Sequence, residues 1–141
     1  MNQKNKEKIQ SKYAEFQLLS QQVSQLEEQL NNVGEQISEL RNLKNNLSEL
    51  KDVKENTGIL VHLGHSIFTK SKINDSNEFI VGIGGSTLVK KDSNETIEFI
   101  SCQVKELEEL NDTMKQKIFE ANSTLQRLHQ ELRGLIEQDK E

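Results

Sequence analysis

The sequence predicts an α+β fold: a long antiparallel two-helix coiled coil with two β-hairpins inserted between the helices. Three observations predict it. Apolar residues recur at alternating spacings of three and four in two blocks of similar length, the pattern of a heptad seam. Between those blocks, residues 57–92 lose this period and become rich in β-branched residues and glycine. Of 141 residues only 33% are hydrophobic and 4% aromatic, against 29% charged, and proline is absent. That is too little apolar material for an ordinary globular core, but enough for a narrow stripe along uninterrupted helices. The predicted organisation is an N-terminal coiled-coil helix (1–56), a hairpin body (57–92) and a C-terminal coiled-coil helix (93–141).

The first block runs from Ile9 through Phe16, Leu19, Val23, Leu26, Leu30, Val33, Ile37 and Leu40. With Phe16 at heptad position a, Leu19 is d. Lys44 then falls at a, while Leu43, Leu47 and Leu50 continue in a shifted phase, which predicts a local change of supercoil. The second block carries Ile97, Ile100, Val104, Leu107, Met114, Ile118, Ala121, Leu125, Leu128, Leu132 and Leu135. Asn111 fills its one non-apolar a position; such a residue either fixes register or is simply tolerated. Asp92 and Ser93 can cap the second helix, and Glu95 lies three residues after Asp92. The helices are expected at 5–54 and 94–138, each about 65–75 Å long. Equal lengths joined by a compact insert predict an antiparallel pair. The charges agree: Lys4, Lys6, Lys8 and Lys12 would then lie near Glu131, Glu137, Asp139 and Glu141. Exposed pairs of this kind stabilise little, but they favour that orientation.

Within the insert, four short strands are expected at 58–63, 66–73, 78–83 and 86–91, with a turn cluster, Asn-Asp-Ser-Asn, at 74–77. Gly64-His65 and Gly84-Gly85 are placed as two-residue turns, which require positive φ. The run EFIVGIGGSTLVKK at 78–91 invites comparison with phosphate-binding loops. A dinucleotide fingerprint needs G-x-G-x-x-G between a strand and a helix; here Thr87 takes the third glycine position and a strand follows. The lysine-containing P-loop pattern is absent as well. Gly64, Gly84 and Gly85 are therefore assigned to turns, and Gly82 to a close approach or a bulge. Ile59, Val61, Leu63, Phe79, Val81 and Ile83 would form one apolar face. Small hairpins cannot cover such a face, and they leave strand edges open, so pairing with other subunits is the simplest solution.

Other chemistry is sparse. The net charge of −5 disfavours non-specific nucleic-acid binding. No apolar run approaches membrane-spanning length, and the first residues have no apolar signal core, so a cytoplasmic, non-membrane protein is expected. Cys102 is the only cysteine, and Asn-x-Ser/Thr triplets at Asn74, Asn94 and Asn122 carry no weight in an Asn-rich chain. His62 and His65 form an H-x-x-H without the further ligands that zinc requires. No catalytic constellation, metal site or cofactor is expected.

GILVHLG at 58–64, FTKSKI at 68–73 and EFIVGIGGSTLVKKDSNETIEFI at 78–100, held between two equal heptad blocks, resemble the alpha-type subunits of the prefoldin family. Here His62 stands where the family usually has proline, and Ser86-Thr87-Leu88 where aromatic residues are common. The resemblance implies an ATP-independent chaperone: a hetero-hexamer of two alpha and four beta-type subunits whose hairpins build a double barrel. Six coiled coils hang from it. Alpha-type subunits carry two hairpins, and residues 57–92 have room for two. The partners it implies are beta-type subunits, a second alpha subunit, unfolded client proteins held at the coiled-coil tips, and a group II chaperonin that receives them.

The helix ends fit that expectation. Large apolar residues keep to a and d between residues 20 and 42, but Tyr13 falls at e, Leu18 at c and Ile136 at e. With the neighbouring seam residues Ile9, Phe16, Leu19, Leu132 and Leu135, they form a candidate client-binding cluster at one end of a long arm. The competing expectation is a structural or tethering coiled coil that oligomerises through its insert.

Overall fold

The structure, a computed structural model, describes residues 3–139. Helix α1 spans Gln3–Leu50 and helix α2 spans Ser93–Asp139. Between them lie strands β1 (Gly58–Gly64), β2 (Ile67–Lys72), β3 (Phe79–Gly84) and β4 (Thr87–Lys91). β1 pairs only with β2 and β3 only with β4, both antiparallel, as two separate two-stranded sheets. The predicted fold class is the observed one. The chain divides into two units: the helix segments up to Gln36 and from Leu107 form one, and Ile37–Glu106 forms the other.

In the first unit the heptad seam buries Val23, Val33, Met114, Leu128 and Leu132. Lys12 of α1 pairs with Glu131 of α2, and the Phe16 ring lies 6.4 Å from the His129 ring. Numbering that rises on one helix as it falls on the other makes the pair antiparallel. Of the acidic residues expected beside the N-terminal lysines, Glu131 has this pairing and Glu137 is bridged by Arg133 on its own helix; Glu141 lies outside the described residues.

In the second unit the seam buries Ile37, Leu47 and Ile100. The expected phase shift does not occur at Lys44, although at the helix end Leu50 is half-buried and Lys51, the next a position, is exposed. Leu43 is 44% exposed, Lys44 is half-buried and Leu47 is buried, so the original register continues through the lysine. A lysine can hold an a position because its four-carbon stem covers apolar surface while the ammonium reaches water.

α1 ends at Leu50, four residues before its expected end. Beyond it the backbone joins the first hairpin. Asn56, at φ 65°, donates its N–H to the Ile73 carbonyl (2.7 Å), and the Ile73 N–H donates to the Thr57 carbonyl (3.0 Å). Those bonds need residues 56–57 alongside Ile73, which a helix running to residue 54 would not allow. Asn tolerates the left-handed conformation better than most residues. α2 starts where the capping residues predict. The Asp92 carboxylate accepts the Glu95 N–H at 2.8 Å, as an N-cap does, and Asn77 Oδ1 accepts the Ser93 N–H at 3.1 Å. Two of the four orphan N–H groups at the helix start are thereby satisfied.

The two hairpins are copies of one pattern at an offset of 20 residues. Leu60 corresponds to Ile80, Val61 to Val81, Leu63 to Ile83, Gly64 to Gly84, Ser66 to Ser86 and Lys70 to Lys90. Each ladder slips at the same place: Gly64 faces Ile67 and Gly84 faces Thr87, leaving Leu63 and Ile83 as the extra residues of bulges. The turns sit one residue later than expected. Their central pairs are His65-Ser66 (φ 46° and 61°) and Gly85-Ser86 (φ 58° and 62°), while Gly64 and Gly84, also at positive φ, end the incoming strands. Positive φ at both central residues is the requirement of a type I′ hairpin turn.

The seam sets a clear contrast for stability. Leu128 is 3% exposed, whereas Phe119, on the same helix, is 68% exposed. Leu128→Ala is expected to cost about 2–4 kcal/mol, and Phe119→Ala less than about 0.5 kcal/mol. Urea denaturation followed by helical circular dichroism measures both; equal shifts would contradict the assigned seam.

Candidate functional site

Two surfaces carry more exposed apolar area than a folded chain needs. The first is on the hairpins. Cross-strand pairing assigns the faces: Ile59 pairs with Ser71, Val61 with Thr69, Phe79 with Lys91 and Val81 with Val89. This is the face expected from the sequence. The structure leaves it only partly open: Phe79, Val81 and Val89 are half-buried, and Ile59 and Val61 are 36% and 39% exposed. Leu63 and Ile83 are exposed, but they are bulge residues beside the turns. Lys91 lies over the Phe99 ring of α2, 5.7 Å from its centroid, which attaches the second hairpin to that helix.

The opposite face was not singled out in the sequence, and it is the more open one. It carries Leu60 and Phe68 on the first hairpin and Ile80 and Leu88 on the second, all more than half exposed. His62 stands across from Phe68 with ring centroids 5.1 Å apart. Its counterpart Gly82 faces Leu88, where an added Cβ would meet the leucine side chain at an ordinary 3.7 Å. No close approach within the chain therefore requires that glycine. The signal for a second apolar face was present: ILV at 59–61 and FIVGI at 79–83 are unbroken by polar residues, as in strands covered on both sides, rather than alternating.

The second surface lies in the first unit. Ile9, Tyr13 and Phe16 of α1 and Leu132 and Ile136 of α2 line a groove of about 590 Å3, with His129, Arg133 and Glu137 at its polar margin. Five of the eight tip residues expected from the sequence come together here. Tyr13 and Ile136 are exposed and Leu132 is buried beneath them. Leu135 lines a different cleft, with Lys8, Lys12, Glu131 and Gln138, and neither Leu18 nor Leu19 lines the groove. Leu18 is an exposed residue elsewhere on α1. His129, Arg133 and Glu137 were missed; their spacing from Leu132 and Ile136 puts them on one helix face, and only the polar side chains hid it.

Glu131 is held below the usual carboxylate range. The hydrogen bond from Lys12 is the main cause, partial desolvation opposes it, and the charges of Lys12 and Arg127 add to it. Among the described residues, no three of His, Cys, Asp and Glu converge as a metal site would need, and no helix is long and apolar enough to cross a membrane.

Long paired helices separated by two β-hairpins, with apolar surfaces left uncovered, define a coiled-coil subunit of the prefoldin type. The chain belongs to the prefoldin family: the family model described as "Prefoldin subunit" matches residues 19–138. This is a family of chaperone subunits that assemble into oligomeric complexes, not a family of enzymes. The prefoldin subunit alpha of Archaeoglobus fulgidus is 26% identical over 128 residues, covering 91% of this chain and 93% of the relative. That of Methanococcus maripaludis strain C7 is 31% identical over 116 residues, covering 82% of this chain and 78% of the relative. The fold is also similar to that in the cryo-EM structure of filamentous PFD from Methanocaldococcus jannaschii. The TM-score there is 0.75 at 21% identity, over 82% of this chain and 96% of that one.

The Lys12–Glu131 pair predicts a pH dependence. A carboxylate whose pKa is depressed on folding stabilises the folded state above its unfolded pKa, about 4.3 for glutamate. That contribution is lost as pH falls through the lower folded value. Glu131→Gln should therefore lower the urea midpoint modestly at neutral pH, and the gap from the parent chain should close in acid. A gap that does not narrow as the pH falls would show that the pair contributes nothing through its charge.

Proposed function

We propose that this chain is a subunit of an ATP-independent holdase. Through its hairpins it assembles with a second alpha subunit and four beta-type subunits. At its helix ends it holds unfolded proteins, which the complex passes to a group II chaperonin in the cytoplasm. The observation that carries the holding role is the groove lined by Ile9, Tyr13, Phe16, Leu132 and Ile136. Tyr13 and Ile136 sit off the a/d seam, so they can face a bound segment without being drawn into helix packing. An apolar groove with a polar margin accepts many apolar segments and reads little of their sequence, which suits a protein that must hold chains with no folded surface. The assembly role is supported by the strands, whose apolar side chains and unpaired edges call for cover. Family membership supports both roles.

The test is suppression of aggregation. The chain, assembled with beta-type subunits, should protect an unfolding client with no nucleotide present. The double variant Tyr13→Ser, Ile136→Ser should assemble to the same mass by light scattering, yet protect several-fold less well, because each lost apolar contact removes about 1–2 kcal/mol. A structural tether would protect no client at all, and undiminished protection by the variant would remove the groove from the mechanism.

A further inference from the structure

The groove does not end at Phe16. A second hollow of about 460 Å3 follows it, lined by Phe16, Leu125, Gln126, His129 and Gln130. Both hollows take positions a, b, e and f of α2, so they lie on one flank of the helix pair. Phe16 and His129 line both, and their ring contact, 6.4 Å between centroids, is the ridge that divides them. The walls repeat at seven residues: Ile9 and Phe16 on α1, Leu125 and Leu132 on α2, and His129 and Ile136 beside them. Ile9, Phe16, Leu125 and Leu132 are a positions, so the run of hollows is the open edge of the seam that already joins the two helices. The other flank has a different character. There Lys12 pairs with Glu131 in a cleft that they line with Lys8, Leu135 and Gln138.

We propose that this flank takes an amphipathic helical segment of a client, laid along the seam as a third helix, in preference to an extended segment. The proposal rests on the holding role argued above and specifies the conformation of what is held. Seven residues of a helical wall span about 10.5 Å. On a client helix, residues i and i+7 lie the same distance apart and on nearly the same side. In an extended segment, same-side residues recur at about 6.6–6.8 Å, so neither one step nor two matches the wall. Large side chains at i and i+7 of a helix fill the two hollows, and a small residue at i+3 or i+4 passes over the Phe16–His129 ridge. The first hollow suits a wholly apolar side chain. The second, bordered by Gln126 and Gln130, suits an apolar stem that ends in a hydrogen-bonding group. Unfolded chains contain fluctuating helices of this kind. Alone in water such helices are marginal, and a third-helix site favours those whose apolar stripe has no cover yet.

Transferred nuclear Overhauser effects suit a weak ligand in rapid exchange, and they report its bound conformation. Two peptides of identical composition are added to the full-length chain. One carries leucine, alanine and glutamine at i, i+4 and i+7; the other carries the same residues in strict alternation with polar ones. The first should bind about tenfold more tightly, because the second can fill only one hollow. It should also show the sequential amide–amide effects of a helix, and it should shift the methyl signals of Leu125 as well as those of Ile9 and Ile136. Equal affinities, methyl shifts confined to Ile9, Leu132 and Ile136, or sequential α-proton–amide effects without amide–amide ones would overturn the proposal. The Tyr13→Ser, Ile136→Ser variant tells the two readings apart. If both peptides bind the parent chain equally and the variant loses both, the holding groove stands and the helical occupant falls. If the variant binds them as the parent does, the groove is removed from both readings.

Discussion

Two paired strands have no interior. Every side chain on a lone hairpin faces either solvent or some other element, so its apolar content must be covered from outside or left wet. This chain has two such hairpins and fills both faces of each with Leu, Ile, Val and Phe. One face is partly covered within the unit, where Phe79, Val81 and Val89 are half-buried and Lys91 meets Phe99. The other is open. Much of the molecule's chemistry follows from that condition: a chain with so little apolar material still commits it to strands it cannot cover by itself, which is sensible only for a subunit.

The helices obey the same constraint in another form. Two helices share one seam, and a seam is narrow, so side chains at a and d account for the buried apolar residues of the helices. Within that discipline an apolar residue off the seam is informative. Tyr13 and Ile136 lie at the flank and, with Ile9, Phe16 and Leu132, shape a groove. Phe119 and Leu18 are just as apolar and off the seam, but they line no groove with it. What separates the two cases is the register between the helices, which decides whether apolar residues on different helices meet.

That distinction explains what the sequence could and could not disclose. The fold class was legible because spacing is a one-dimensional property: a period of three and four gives a helix seam, and its loss at residue 57 gives the insert. The start of the second helix was legible because Asp92 and Glu95 have a local mechanism. The turn positions were misplaced by one because glycine was treated as the only carrier of positive φ, whereas His65, Ser66 and Ser86 adopt it too. The phase near Lys44 was misjudged because Leu43, Leu47 and Leu50 were grouped as one shifted series, although Leu47 keeps the original d position and the Lys44 stem can occupy the a position. The open hairpin face escaped notice because one alternating set was chosen from runs with no alternation. His129, Arg133 and Glu137 share a helix face with Leu132 and Ile136 by their spacing, but only the pairing of the two helices makes that face the margin of a groove.

On the proposed reading, the size of the groove also explains why assembly and holding belong together. Micromolar affinity requires about −8 kcal/mol. Each fully buried apolar side chain contributes about 1.5–3 kcal/mol, and association costs at least about 4 kcal/mol before any ordering of the bound segment. A groove lined by five apolar residues admits two or three client side chains, so one subunit alone would hold a client at about 0.2 mM at best, far short of micromolar. Several grooves acting on the same unfolded chain change the outcome, because the second and third contacts are made at the high effective concentration set by the first. Weak single grips have a further use. Each can let go independently, so a client can be released stepwise without ATP, and no single contact has to be broken at great cost. The uncovered strands are therefore not incidental to the groove: oligomerisation through them is what would make so modest a binding surface sufficient.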